Sequence, residues 1–105
     1  MARKNAVRVT PSTGNVFRDL GFSKEESEHL LVRADLLIQV QKAIRARRLT
    51  QAETARMLRV TQPRVSDLLH GRIDLFSTDA LIDMLARLGV GVRLVIRPGR
   101  SRKVA

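Results

Sequence analysis

The stretch TQAETARMLRVTQPRVSDLLHG, residues 50–71, constrains the fold more than any other part of this chain. Its apolar spacing changes phase once in the middle. Ala52, Ala55 and Leu58 recur at helical intervals in the first half, and Val65, Leu68 and Leu69 do so in the second. Each half opens on a start signal. Thr50 followed by Glu53 makes a capping box, in which hydroxyl and carboxylate each satisfy a backbone N–H left over at a helix start. Thr61 caps the second half, and Pro63 falls in its first turn, where a missing N–H costs little. Gly71 supplies the left-handed residue at which helices commonly stop. The pattern predicts helix, tight turn, helix. Ala55 is small enough to let the two rods cross closely, and Val60 and Val65 plug the angle between them.

This is the helix-turn-helix arrangement, whose second helix enters the major groove of DNA. The stretch resembles the lambda-repressor and Cro-like family, also called the xenobiotic-response-element (XRE) family. Its skeleton is matched at Thr50, Gln51, Ala55, Leu58, Val60, Gln62, Val65, Ser66, Leu68 and Gly71. Arg59 departs from it, standing where the family usually has a turn glycine; a side chain there must accept φ > 0 at modest cost.

Length and charge agree with that reading. At 105 residues, one small domain with flexible ends is expected, and extra burial through dimerisation would help so small a core. Lys and Arg number 20 against 10 Asp and Glu, a formal charge of +10 that suits a polyanion partner. With no Cys, disulfides and thiolate metal sites are excluded, and a cytoplasmic home is expected. The start MARKNAVRV lacks an apolar signal core, and no run approaches a membrane span.

Three regions are expected: a basic arm over 1–22, a domain over 23–98 and a basic tail over 99–105. The arm reads as mostly irregular, disordered or ordering only when bound. Arg3, Lys4 and Arg8 flank single valines, and Pro11, Ser12, Thr13, Gly14 and Asn15 form a cluster of turn formers. Val16, Phe17, Leu20 and Phe22 have helical spacing and dock on the core as a short turn, the alternative being a partner-binding hook. A second capping box, Ser23 with Glu26, starts a long helix over about 24–48. Its inward stripe is Leu30, Ala34, Leu37, Ile38, Gln41 and Ile44, widened by Leu31 and Val40. Glu25, Glu26 and Glu28 near its start and Lys42, Arg45, Arg47 and Arg48 near its end complement the helix dipole; the basic end meets phosphates or is simply solvated.

Beyond Gly71, Ile73, Leu75 and Phe76 are apolar enough to lid the core. Ser77 or Thr78 then caps a helix through Leu88, with Leu81, Met84, Leu85 and Leu88 facing in and Gly89 ending it. From Val90 the period changes to two: Val90, Val92, Leu94 and Ile96 alternate with Gly91, Arg93, Val95 and Arg97, as in a strand with one buried face. A lone strand leaves its backbone unpaired, so a partner is expected. A second copy across a two-fold axis would supply one through residues 90–97, making a homodimer; the alternative is another protein's sheet edge. Pro98 and Gly99 end the strand, and Arg100, Arg102 and Lys103 form the basic tail.

The fold class expected is mainly α: a lambda-repressor-like domain of about five helices with one C-terminal strand pairing across a dimer. At roughly 100° per residue, Val65, Leu68 and Leu69 mark the buried side of the second motif helix. Pro63, Ser66, Asp67 and His70 point away, with Gln62 and Arg64 on the flanks. Gln62, Pro63, Arg64, Ser66 and Asp67 are therefore the candidate base readers. Gln62 suits a bidentate contact to adenine, Arg64 suits guanine or a phosphate, and Asp67 can accept from a cytosine amine. Gln51, Thr61 and Arg72 are the phosphate candidates. For each the alternative is a solvated polar residue.

Catalysis finds little support. His29 and His70 stand without the Cys or clustered carboxylates of a metal or nucleophile site, the helix-face pair Asp79 and Asp83 is explained by solvation, and no glycine loop cradles phosphate. No enzyme activity, metal or cofactor is expected.

A closer resemblance spans residues 15–98. NVFRDLGFSKEE, LLVRADLLIQVQKAIRARRLTQAE, the motif itself and LIDMLARLGVGVRLVIRP together look like the HigA-type branch of the family. The resemblance implies an antitoxin that neutralises a RelE/HigB-like ribonuclease toxin and represses their shared operon. A stand-alone repressor would need the same fold, and a protein-interaction module without significant DNA binding is the rival from another class.

Overall fold

In a computed structural model, which describes residues 7–9, 16–96 and 98, the chain runs β1 (Val7–Val9), α1 (Val16–Asp19), α2 (Lys24–Arg47), α3 (Gln51–Leu58), α4 (Gln62–Leu69), a 3₁₀ turn (Ile73–Leu75), α5 (Thr78–Arg87) and β2 (Val92–Leu94). Arg3, Lys4, the turn cluster at 11–15, Arg97, Gly99 and the basic tail at 100–105 lie outside the described residues.

Helices α2 to α5 each begin where a side chain can satisfy leading N–H groups. Ser23 and Glu26 close a reciprocal capping box at α2 with bonds of 3.0 and 3.1 Å, and Thr50 and Glu53 do the same at α3 with bonds of 2.9 and 3.1 Å. The hydrogen bonds from Thr50 hold the Glu53 carboxyl below the usual carboxylate range, since they favour its charged form. Thr61 caps α4 and Ser77 caps α5. The stops are as local. Gly71 (φ 74°) and Gly89 (φ 81°) are left-handed, and Arg48 (φ 54°) and Arg59 (φ 60°) adopt the same region as C-caps of α2 and α3. Arg59 thus takes the backbone shape of a turn glycine despite its side chain, at a cost near 1 kcal/mol.

The long helix α2 is the axis of the domain, touching α1, α4, α5, β1 and the 3₁₀ turn. Leu36, Leu37, Val40 and Ile44 of α2 form one core with Leu58, Leu68, Phe76, Leu81, Met84, Leu85 and Leu88. Neighbours on several sides explain a shift from the expected stripe. Leu31 and Val40 are buried as expected, but so are Ser27 and Leu36, while Leu30 and Ala34 are only half-buried and Ile38 stands 46% exposed. Leu81, Met84 and Leu85 of α5 and its C-cap Leu88 are all buried, as their spacing predicts, though the helix ends one residue earlier than expected. Of the connector, Phe76 is buried and Ile73 half-buried, but Leu75 is exposed. Phe17 is half-buried beside α2 and meets Phe22 edge to face at 6.2 Å, but Leu20 and Phe22 are both exposed, so only part of the patch expected to dock on the core does so.

The strand prediction needs correcting. β2 covers Val92–Leu94 alone and pairs in parallel with β1 of the same chain, in the register Val7↔Val92, Arg8↔Arg93, Val9↔Leu94. The expected lone strand therefore has an intrachain partner at Val7–Val9, in a stretch expected to be irregular, while Val16–Asp19 forms the short helical turn that its spacing predicts. An unpaired strand does need hydrogen bonds, and the chain supplies them from its own N-terminal end. Alternation also breaks: Val90 and Val92 pack against the core, while Leu94 and Ile96 are exposed.

Candidate nucleic-acid interface

Helices α3 and α4 pack against each other across the turn at Arg59 and Val60. Ala55 is 7% exposed at the crossing, and Leu58, Val65 and Leu68 fill the angle, with Val60 half-buried. Thr54, next to Ala55 in α3, is buried as well; its hydroxyl donates to the Thr50 carbonyl at 2.8 Å, so this buried polar side chain has no bare donor. The same burial that fixes Val65 and Leu68 inward turns the opposite side of α4 to solvent.

On that side, Gln62 and Pro63 are exposed at the first two positions of α4, and Ser66 and Asp67 are half-buried one turn on. Thr61 is exposed, and its hydroxyl accepts from the Arg64 N–H at 3.4 Å, leaving a lone pair and its own proton available. Gln51 is exposed at the first position of α3, and Arg72 is exposed just beyond α4, with its N–H donating to the Asp67 carbonyl at 3.0 Å. His70 folds back on its own helix: Nδ1 lies 2.8 Å from the Ser66 carbonyl, which it reaches as a donor, and 3.3 Å from the Ser66 hydroxyl.

Arg64 is placed differently from the other candidates. Its guanidinium lies over the Phe76 ring, 4.3 Å from the centroid, and donates to the Leu75 carbonyl at 3.1 Å. The side chain expected to reach for guanine is instead turned back onto the connector between α4 and α5. Sequence reasoning also missed the ties from α2. Gln41 donates to the Leu68 carbonyl at 2.8 Å, Arg33 reaches the Phe76 carbonyl at 3.5 Å, and Arg47 donates to the Leu88 carbonyl at 2.9 Å. The signal was a polar residue, Gln41, within an otherwise apolar stripe.

Positive charge is poorly matched inside the domain. Among the described residues the one ion pair is Arg87 with Asp83 at 2.9 Å, in a chain of formal charge +10. Arg45, Arg48, Arg56, Arg59 and Arg72 are exposed around the motif. No group of His and acidic residues among those described could hold a metal ion, and no described helix is long and apolar enough to cross a membrane.

Two short helices crossing at a small residue, with the second offering a polar edge to solvent, define a helix-turn-helix domain. A family model described as a helix-turn-helix domain matches residues 16–97, and the chain belongs to that family. A solved structure described as an XRE-family transcriptional regulator is similar, with 33% identity and a TM-score of 0.66, over 76% of this chain and 91% of that one. No curated protein matches the chain.

Proposed function

We propose that this protein is a sequence-specific DNA-binding transcriptional regulator, a repressor that inserts α4 into the major groove. The observation that carries the reading is the solvent-facing start of α4, with Gln62 and Pro63 exposed on a helix clamped by Val65 and Leu68, in a chain of charge +10. Gln62 reads a base, adenine by its bidentate geometry. Pro63, Ser66 and Asp67 complete the groove-facing edge, and Gln51, Thr61 and Arg72 hold phosphates on either side. Similarity to an XRE-family regulator supports the assignment.

The protein acts as a homodimer through residues 90–97, placing two copies of α4 about 34 Å apart on an inverted repeat. With β1 on one edge of β2, the other edge and the exposed Leu94 and Ile96 support a second copy there. The HigA-type resemblance further supports an antitoxin that represses its own operon in the cytoplasm, associated with the nucleoid when bound, and neutralises a RelE/HigB-like ribonuclease. A small ribonuclease-like reading frame beside the gene, whose toxicity this protein relieves on co-expression, would establish that partner; relief of no such neighbour would remove it.

The DNA assignment is tested by selecting duplexes from a randomised library and measuring affinity against salt. Gln62→Ala is expected to cost about 1–3 kcal/mol at one base pair only. Arg72→Ala is expected to weaken all sequences alike and reduce the salt slope by about one. Equal losses on selected and random duplex for both variants would contradict the assignment.

A further inference from the structure

We infer that Arg64 is a positioning residue that clamps the recognition helix to the domain, and that it does not read a base. The inference rests on the proposed DNA-binding role of α4 and assigns the work within it. Arg64 occupies the third position of α4, close to the end that enters a groove. Its guanidinium is nevertheless committed twice, over the Phe76 ring at 4.3 Å from the centroid and by a hydrogen bond of 3.1 Å to the Leu75 carbonyl. Phe76 is 1% exposed, and its own carbonyl is met by Arg33 from α2. The ring is therefore a fixed platform, tied to the axis of the domain, on which Arg64 rests.

The far end of α4 has a matching tie, the 2.8 Å bond from Gln41 of α2 to the Leu68 carbonyl. An eight-residue helix is a rod about 12 Å long, and apolar burial along one side leaves it able to roll and slide. Two polar ties at opposite ends, one directional and one planar, remove those freedoms. Base reading needs this, because a side-chain amide discriminates bases only when its donor and acceptor are held in register with the base edge. To contact guanine, Arg64 would have to give up both its platform and its carbonyl partner. A partly desolvated guanidinium–ring contact alone favours the docked state by about tenfold.

The test uses the full chain and a duplex library randomised over about two helical turns. Arg64→Ala, Arg64→Lys and Phe76→Leu are compared with Gln62→Ala. The clamp predicts that the first three each lose about tenfold in affinity for the duplex that the wild type selects, evenly across its single-base variants, and select the same consensus. Lysine fails to rescue because it has no planar face to stack. Gln62→Ala alone changes the consensus, at one position. If Arg64→Ala loses its preference at one base pair and keeps the rest, or if Phe76→Leu binds as the wild type does, the inference is overturned. Arg64→Ala and Arg64→Lys carry the test by themselves if Phe76→Leu does not fold.

A wild type that selects no sequence would sink the DNA-binding reading and leave the clamp to be judged by urea unfolding. There, Arg64→Ala and Phe76→Leu should be coupled, their combined loss falling short of the product of the single losses by about tenfold in the folding equilibrium. Independent losses would overturn the clamp itself.

Discussion

Replacing Gln41 with Leu removes the hydrogen bond that ties the end of α4 to α2 while nearly conserving volume. The size of the effect follows from what the Leu68 carbonyl has left. It also accepts from the Gly71 N–H at 3.1 Å, so it keeps a partner when the amide is gone. The expected loss is therefore that of one ordinary hydrogen bond, about 0.5–1.5 kcal/mol, below the upper range for a buried group left bare. In a domain of this size a loss of 1 kcal/mol lowers the melting temperature by about 4–8 °C. Lys42→Leu, one residue along and exposed, is the control, since Gln and Lys have similar helix propensities. Urea unfolding should give a lower midpoint for Gln41→Leu at unchanged slope, with Lys42→Leu near the wild type. An unchanged midpoint, or the same loss in both variants, would refute the claim that this bond holds the helix.

Other consequences are as specific. Arg59→Gly relieves a left-handed side chain and should match or exceed wild-type stability, while Arg59→Val, whose branched side chain resists that region, should lose about 1 kcal/mol or more; thermal melts in the reverse order would contradict the turn geometry. Burial raises the Asp35 carboxyl above its ordinary 3.8, so the folded chain holds that proton more tightly than the unfolded one, and charged Asp35 subtracts from stability at neutral pH. Asp35→Asn should accordingly melt above the wild type at pH 7, and the gap should close as pH falls through the raised value to 3.8; a gap independent of pH would refute this. Leu68→Ala, at a position with no exposure, should cost about 3–5 kcal/mol and unfold much of the population, read by circular dichroism against urea; a small loss would mean that α4 is not held by its apolar side.

The helical part of the fold was legible because its signals are local. Capping residues Ser23, Thr50, Thr61 and Ser77, and the stops at Gly71 and Gly89, each act within four residues of their own position. Arg59 was legible as an exception, and the backbone there does what a glycine would. Long-range pairing was harder to read. Three residues, Val7–Val9, are too few to display a period, and nothing in their neighbourhood marks them as the partner of Val92–Leu94 more than eighty positions away. A single helical stripe does not give the phase of α2, because its neighbours stand on several sides: Leu36 is buried where the stripe leaves it out, and Ile38 is exposed where the stripe puts it inside. The exposed edge of α4 followed from the burial of Val65 and Leu68. The commitment of Arg64 did not, because Phe76 lies twelve positions on, beyond a 3₁₀ turn whose geometry no spacing rule supplies.

If α4 reads DNA, its exposed edge must respond when a duplex is present. Amide resonances followed during titration with the duplex selected by the full chain would report this residue by residue. The expected result is that the largest shifts fall on Thr61, Gln62 and 64–67 and at Gln51 and Arg72, with the β1–β2 ribbon responding little. Shifts centred on α1 or the ribbon, with Thr61, Gln62 and 64–67 unmoved at saturation, would contradict it.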